Sequence, residues 1–264
     1  MTSNNSAVEI NGLTKVYGRN PGIKAVDNLN MQVPRGVIFG FLGPNGAGKS
    51  TTLKMLTGLL KPTEGTAVVA GFDILEHAID MKRRIGVVPE TLNLYERLTA
   101  NEYLELIGRL HGLDPETIQR RRGQLLEALE LVDSASSPSV DYSHGMKKKL
   151  ALAAALLPRP EILFLDEPFE GVDAISARVV KNLLRQMVDG RGVTVFFSTH
   201  IMELVERMAD QVAIINKGHL VATGDLADLR RQAESAGDAS LEDVFLDLVD
   251  AQIQGEGELS WLTS

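Results

Sequence analysis

The chain has 264 residues, 44% of them hydrophobic and 23% charged, enough for one large α/β domain or a core carrying an insertion and a short tail. Its formal net charge of -8 argues against a general affinity for nucleic acid backbones, and the lack of cysteine excludes a disulfide framework and a thiolate metal site. Residues 1–6 are polar, without the order of a secretory signal, and the longest apolar run, 150–157, is far short of the ~20 residues that span a bilayer, so the chain is expected to stay inside the cell and reach any membrane through a partner.

Residues 8–17 and 25–33 alternate apolar and polar side chains around the turn signal Asn20-Pro21-Gly22, which predicts two antiparallel strands. Residues 37–42 are nearly all apolar, stop at a Gly-rich loop and resume as a predicted helix over 48–60. Short strands follow at 66–70 and 85–88. Thr99, with Glu102 three residues later, reads as an N-cap, with helices through 110 and over 115–131, so 91–157 forms a helical insertion. Beyond it, 162–165, 175–188 and 193–197 read as strand, helix and strand, which a parallel sheet closes. Strands at 211–216 and 219–223 precede a helical tail with its apolar segment at 241–245.

The run Gly43-Pro44-Asn45-Gly46-Ala47-Gly48-Lys49-Ser50-Thr51 matches the phosphate-loop spacing G-x-x-x-x-G-K-[ST], between a predicted strand and a predicted helix. Its glycines leave backbone N–H groups to converge on a phosphate at a helix N-terminus, Lys49 reaches the β- and γ-phosphates, and Ser50 can ligate Mg²⁺. Asp166 and Glu167 directly follow four apolar residues, where carboxylates are costly unless the chemistry needs them. Asp166 is expected to hold Mg²⁺, and Glu167 to polarise the water that attacks the γ-phosphate in line. His200 emerges from the C-terminal end of the strand at 193–197, where ligands bind in open parallel sheets. Taken alone it reads as structural; its company makes it a γ-phosphate donor.

With these residues placed, residues 8–245 resemble the nucleotide-binding subunit of ABC (ATP-binding cassette) transporters. The resemblance implies an α/β P-loop NTPase of the ABC ATPase fold. That fold has a mostly parallel RecA-like sheet core with an antiparallel β subdomain over 1–90 and 158–224, a helical subdomain over 91–157 and a helical tail over 225–264. It implies that Tyr17 stacks on adenine. The family signature, usually Leu-Ser-Gly-Gly-Gln, falls on Tyr142-Ser143-His144-Gly145-Met146, keeping Ser143 and Gly145 for contact with the ATP of an opposite subunit. The departures at His144 and Met146 bear on the strength of that contact. The family's Q-loop glutamine falls on Glu90, whose carboxylate accepts from Mg²⁺-bound water but cannot donate. Asp173, in Gly171-Val172-Asp173, fits the D-loop and is expected across the dimer interface.

Function follows from the same resemblance: an ATP-hydrolysing motor on the cytoplasmic face of the cell membrane, with ATP and Mg²⁺ as ligands and Lys49, Glu167 and His200 as catalytic residues. Two copies are expected head to tail with ATP between them, coupled through Asp173, Glu90 and His144 to a separate transmembrane permease. Glu90 with the segment 241–245 resembles the branch that drives two-component exporters of drugs, lipids or polysaccharides. The alternative is a soluble switch ATPase acting on ribosomes or DNA, against which stand the single cassette and the absence of heptads and cysteines. The basic runs at 82–84, 120–122 and 147–149 read as solvated faces.

Overall fold

The computed structural model describes residues 6–18, 22–232 and 241–253, with side chains described to residue 247. Asn20 and Pro21 of the expected first turn lie outside the described residues. The strands are β1 (Ser6–Tyr17), β2 (Ile23–Pro34), β3 (Ile38–Leu42), β4 (Glu64–Val69), β5 (Phe72–Asp73), β6 (Ile85–Val88), β7 (Ile162–Asp166), β8 (Thr194–Thr199), β9 (Gln211–Asn216) and β10 (His219–Gly224). Helices are α1 (Lys49–Leu56), α2 (Ala78–Lys82), α3 (Ala100–Leu110), α4 (Pro115–Ala128), α5 (His144–Leu156), α6 (Ala174–Arg191), α7 (Met202–Met208), α8 (Leu226–Gln232) and α9 (Leu241–Ile253).

The strands form two sheets. An antiparallel one runs β2-β1-β4-β5, and a six-stranded one runs β10-β9-β3-β8-β7-β6, parallel except for β10. Every residue of β3, β7 and β8 is buried, which is why these strands read as unbroken apolar runs instead of alternating ones. Side-chain alternation then divides the core in two. Phe39, Phe164 and Phe196, paired in register on adjacent strands, put their rings 5.4 and 5.5 Å apart on the face shared with the antiparallel sheet. Leu163, Val195 and Phe197 point the other way, into the cluster that includes Leu150, Leu152 and Leu184 of the helices.

Three strands end side by side at the C-terminal edge, where Gly43 N donates to Thr199 O (3.3 Å) and Asp166 closes β7. Ligands bind at this edge of a parallel sheet.

Local chemistry explains where helices begin and end. Thr99 caps α3 through a reciprocal pair: its Oγ1 accepts from Glu102 N and its N donates to Glu102 Oε2. α1 stops at Leu56, short of the expected residue 60, because Gly58 takes the left-handed conformation at φ 66°. α4 stops at Ala128, short of the expected residue 131, with Glu130 left-handed at φ 54°. α5 starts at His144, since Ser143 Oγ accepts from Met146 N and caps it. α6 is longer than expected, capped by Asp173 and ended by Gly192 at φ 63°. Among the described residues no helix is long and apolar enough to cross a membrane.

Candidate functional site

The loop between β3 and α1 is fixed by close backbone approach. A Cβ on Gly43 would lie 2.3 Å from Ile215 O, and one on Gly48, at φ 105°, would lie 2.4 Å from Ala25 O. Neither position tolerates a side chain. Ala47 ties the loop down, its N donating to Pro44 O (3.1 Å) and its O accepting from Gly218 N (3.0 Å). The result is a set of backbone N–H groups at the N-terminus of α1, a geometry suited to anions. Lys49 is buried beneath it, its Nζ donating to Gly43 O (2.8 Å) and Pro44 O (3.2 Å).

A pocket of about 420 Å³ opens over this loop, lined by Asn45, Gly46, Gly48, Lys49, Ser50 and Thr51, with Glu90, Glu167, Glu170 and His200 completing it. Asp166 and Glu167 are each only 5% exposed, so they are not acids of a solvated loop. Asp166 Oδ1 accepts from Ser50 Oγ (3.1 Å) and from Ser198 Oγ (2.5 Å). Glu167 sits at φ 46°, a left-handed conformation that turns it out of the line of β7, and its N donates to Ser198 Oγ (3.2 Å) and Ser198 O (3.2 Å). Its Oε1 lies 3.4 Å from Lys49 Nζ and 3.1 Å from His200 Nδ1. A hydroxyl and a carboxylate side by side, Ser50 and Asp166, form the oxygen donor set that Mg²⁺ takes when phosphates complete its shell. The residues present therefore fit that ion.

A second constellation lies elsewhere in the same chain. His144 packs against Gly171, so that a Cβ there would meet its Cδ2 at 3.1 Å, and a Cβ on Gly145 would lie 3.3 Å from Asp173 Oδ2. Asp173 accepts from Ser176 N (2.9 Å) and Ile175 N (3.0 Å), bonds that hold its carboxyl below the usual range. Met146 turns its side chain onto the apolar core, a packing role that the sequence departure at this position serves. Ser143, His144, Gly145 and Asp173 do not line the phosphate-loop pocket, and neither does Tyr17. Tyr17 ends β1 with 43% exposure and Lys15 Nζ 5.5 Å from its ring centroid.

Lys82, Arg83, Arg84 and Arg120 are exposed, as expected of solvated faces, whereas the run at 147–149 is not one. Consecutive helical residues are ~100° apart, so three in a row cannot share one side. Lys147 pairs with Glu96 (2.8 Å), Lys149 is buried with Glu130 at 3.6 Å, and Lys148 is buried with its Nζ 2.7 Å from both Glu167 O and Glu170 O. Burial draws the Lys148 ammonium below the usual lysine range, against the pull of Glu170, Glu167 and Glu90. Arg121, half-buried, donates to Leu157 O (2.8 Å), while the exposed Arg84 pairs at the surface with Glu161 (2.6 Å). Ser198 was legible only as part of the polar run that follows a buried strand, in which His200 alone carried a role.

The ABC transporter family model matches residues 26–170. The chain is 39% identical to the daunorubicin/doxorubicin resistance ATP-binding protein DrrA of Streptomyces peucetius, over 96% of this chain and 73% of that protein. It is 39% identical to the Nod factor export ATP-binding protein I of Ralstonia nicotianae, over 82% of this chain and 66% of that protein. Its fold matches the dimeric ATP-binding cassette MJ0796 in a post-hydrolysis state with ADP and Pi, with a TM-score of 0.77 and 27% identity over 83% of this chain and 98% of that one. The chain thus belongs to the ABC transporter family, as one of its ATP-binding and ATP-hydrolysing subunits.

Proposed function

We propose that this subunit drives an exporter and works as a head-to-tail pair at the cytoplasmic face of the membrane, each pocket holding MgATP against the signature segment of the other copy. The observation that carries the catalytic part is the sharing of Glu167 Oε1 between Lys49 and His200, beside the Ser50–Asp166 pair. In this reading the β- and γ-phosphates take the N–H groups of residues 43–51 and replace Glu167 as the partner of Lys49. Glu167, released, accepts the proton of the attacking water, and His200 donates to the γ-phosphate. Mg²⁺ held by Ser50 and Asp166 would neutralise charge developing on the phosphates, with Glu90 accepting from its water shell. Tyr17 offers an exposed ring for adenine.

Ser143 and Gly145 lie outside the pocket of their own chain, which supports a role on the nucleotide of a second copy, as does the dimeric form of the related cassette. Coupling to a separate permease is supported by an apolar groove of about 440 Å³ beside the segment carrying Glu90, lined by Leu59, Leu92, Leu94, Tyr103, Ile107 and His111 among others. The test is isolation of the tagged Glu167→Gln protein with MgATP from detergent-solubilised membranes of its native host. One polytopic membrane protein in stoichiometric amount supports the exporter. Ribosomal or DNA-associated proteins without a membrane partner overturn it in favour of a soluble switch.

A further inference from the structure

Ten of the thirteen residues of α5 are buried, and most of them are Leu or Ala. An ammonium on that surface is unfavourable unless it is bonded and charge-balanced. Lys148 meets both conditions. Its Nζ, in a residue only 6% exposed, reaches Glu167 O and Glu170 O at 2.7 Å each, the two ends of the turn Glu167-Pro168-Phe169-Glu170. Glu170 N closes the same turn on Glu167 O at 3.3 Å. Glu167, Glu170 and Glu90 supply the opposing charge. Lys147 and Lys149 instead point to surface acids.

We propose that Lys148 is a positioning residue for hydrolysis: its ammonium ties the helix that begins at Ser143 to the backbone of Glu167, so that turnover, and not nucleotide affinity, depends on it. Glu167 stands in a left-handed conformation that a non-glycine residue holds only when its surroundings enforce it. The Lys148 bond to its carbonyl is one such constraint, and a shift of that peptide moves the carboxylate away from Lys49 and His200. Lys148 follows Ser143 by five residues, or ~7.5 Å along the helix axis, so a contact made at the signature serine is carried by one rigid element to the acid's backbone. The link is physical, a helix and two hydrogen bonds.

The proposal rests on the reading of Glu167 as the general base, which Glu167→Gln tests separately. Steady-state hydrolysis and equilibrium ATP binding are measured on K148M, K148R and the neighbouring K147A in the full chain. The expected result is kcat lower by about tenfold or more in K148M, ATP affinity within about threefold of the parent, recovery of most of the lost rate in K148R, and a parent-like K147A. A K148M rate within about twofold of the parent overturns it, as does a loss of ATP affinity in step with the rate, or an Arg that binds ATP normally and recovers nothing. If K148M does not fold, K148Q, which is shorter and uncharged but polar, is read by the same two numbers. An inert Glu167→Gln beside a normal K148M sinks this proposal and leaves the base assignment standing.

Discussion

Lys49 and Glu167 form a buried ion pair at 3.4 Å, with both side chains under 10% exposed, although one opens α1 and the other follows the end of β7. Each thereby holds the other in place at the same point of the pocket. Replacing the acid with its neutral isostere keeps the shape and removes the proton acceptor. Glu167→Gln is expected to lower turnover by about 10² to 10⁴ and to leave ATP binding intact. Hydrolysis at the parent rate would remove Glu167 from its role.

The opposite deletion acts on binding. Lys49→Ala withdraws the buried cation beneath the loop over residues 43–48 and leaves the phosphates facing Glu167 without that charge between them. We expect ATP affinity at least about tenfold weaker, because a charge-assisted contact to an anion is worth roughly 1.5–3 kcal/mol. Titration calorimetry with a non-hydrolysed ATP analogue measures it. Unchanged affinity would count against the phosphate-loop assignment.

Ser198 joins both acids, donating to Asp166 Oδ1 at 2.5 Å and accepting from Glu167 N at 3.2 Å. Ser198→Ala leaves Asp166 with Ser50 alone and strips Glu167 N of one acceptor. Roughly 1–3 kcal/mol of stability should be lost, seen as a lower melting temperature. The Mg²⁺ concentration that supports half-maximal turnover should also rise. A variant unchanged in both would show that Ser198 is dispensable to the acid pair.

The contrast between Ser198 and Lys49 shows where the sequence was informative. Lys49 belongs to a local motif whose spacing within nine residues states its geometry, and β3, β7 and β8 announced themselves as apolar runs because both of their faces are buried. Ser198 and Lys148 act through partners at 31 and 19 residues' separation, and no local pattern encodes such a pairing. The lysine run looked solvated because charge is ordinarily outside, yet helical geometry turned Lys148 and Lys149 inward. The packing of His144 on Gly171 and of Gly145 beside Asp173 was equally invisible, since it needs α5 and α6 to meet in space.

Capping gives a pH-dependent prediction. The bonds from Thr99 N (2.9 Å) and Thr99 Oγ1 (2.9 Å) hold the Glu102 carboxyl below the ordinary glutamate range. A carboxyl depressed on folding adds stability that is present above its unfolded pKa and lost as the pH falls through its folded one. Thr99→Ala should cost about 1 kcal/mol near neutrality through the lost cap. The gap in melting temperature between parent and variant should narrow in acid, once Glu102 is protonated. A gap that stays constant from neutral pH into acid would show that Glu102 takes no part.

The head-to-tail arrangement is open to a mixing experiment. Ser143 and Lys49 lie at different places in one chain, so they can serve one ATP only if Ser143 reaches across to a second copy. Ser143→Ala and Lys49→Ala homodimers then carry a defect at each of their sites. In the mixed dimer, the pocket with intact Lys49 belongs to the Ser143→Ala chain and meets the intact Ser143 of the Lys49→Ala chain, while the other pocket carries both defects. Half the dimers in an equal mixture are mixed and half of their sites are whole, so about a quarter of the parent ATPase rate should return if the sites turn over independently. If Ser143 served the nucleotide of its own chain, every site in the mixture would hold one defect and no activity would return, which decides between the two arrangements without a structure of the complex.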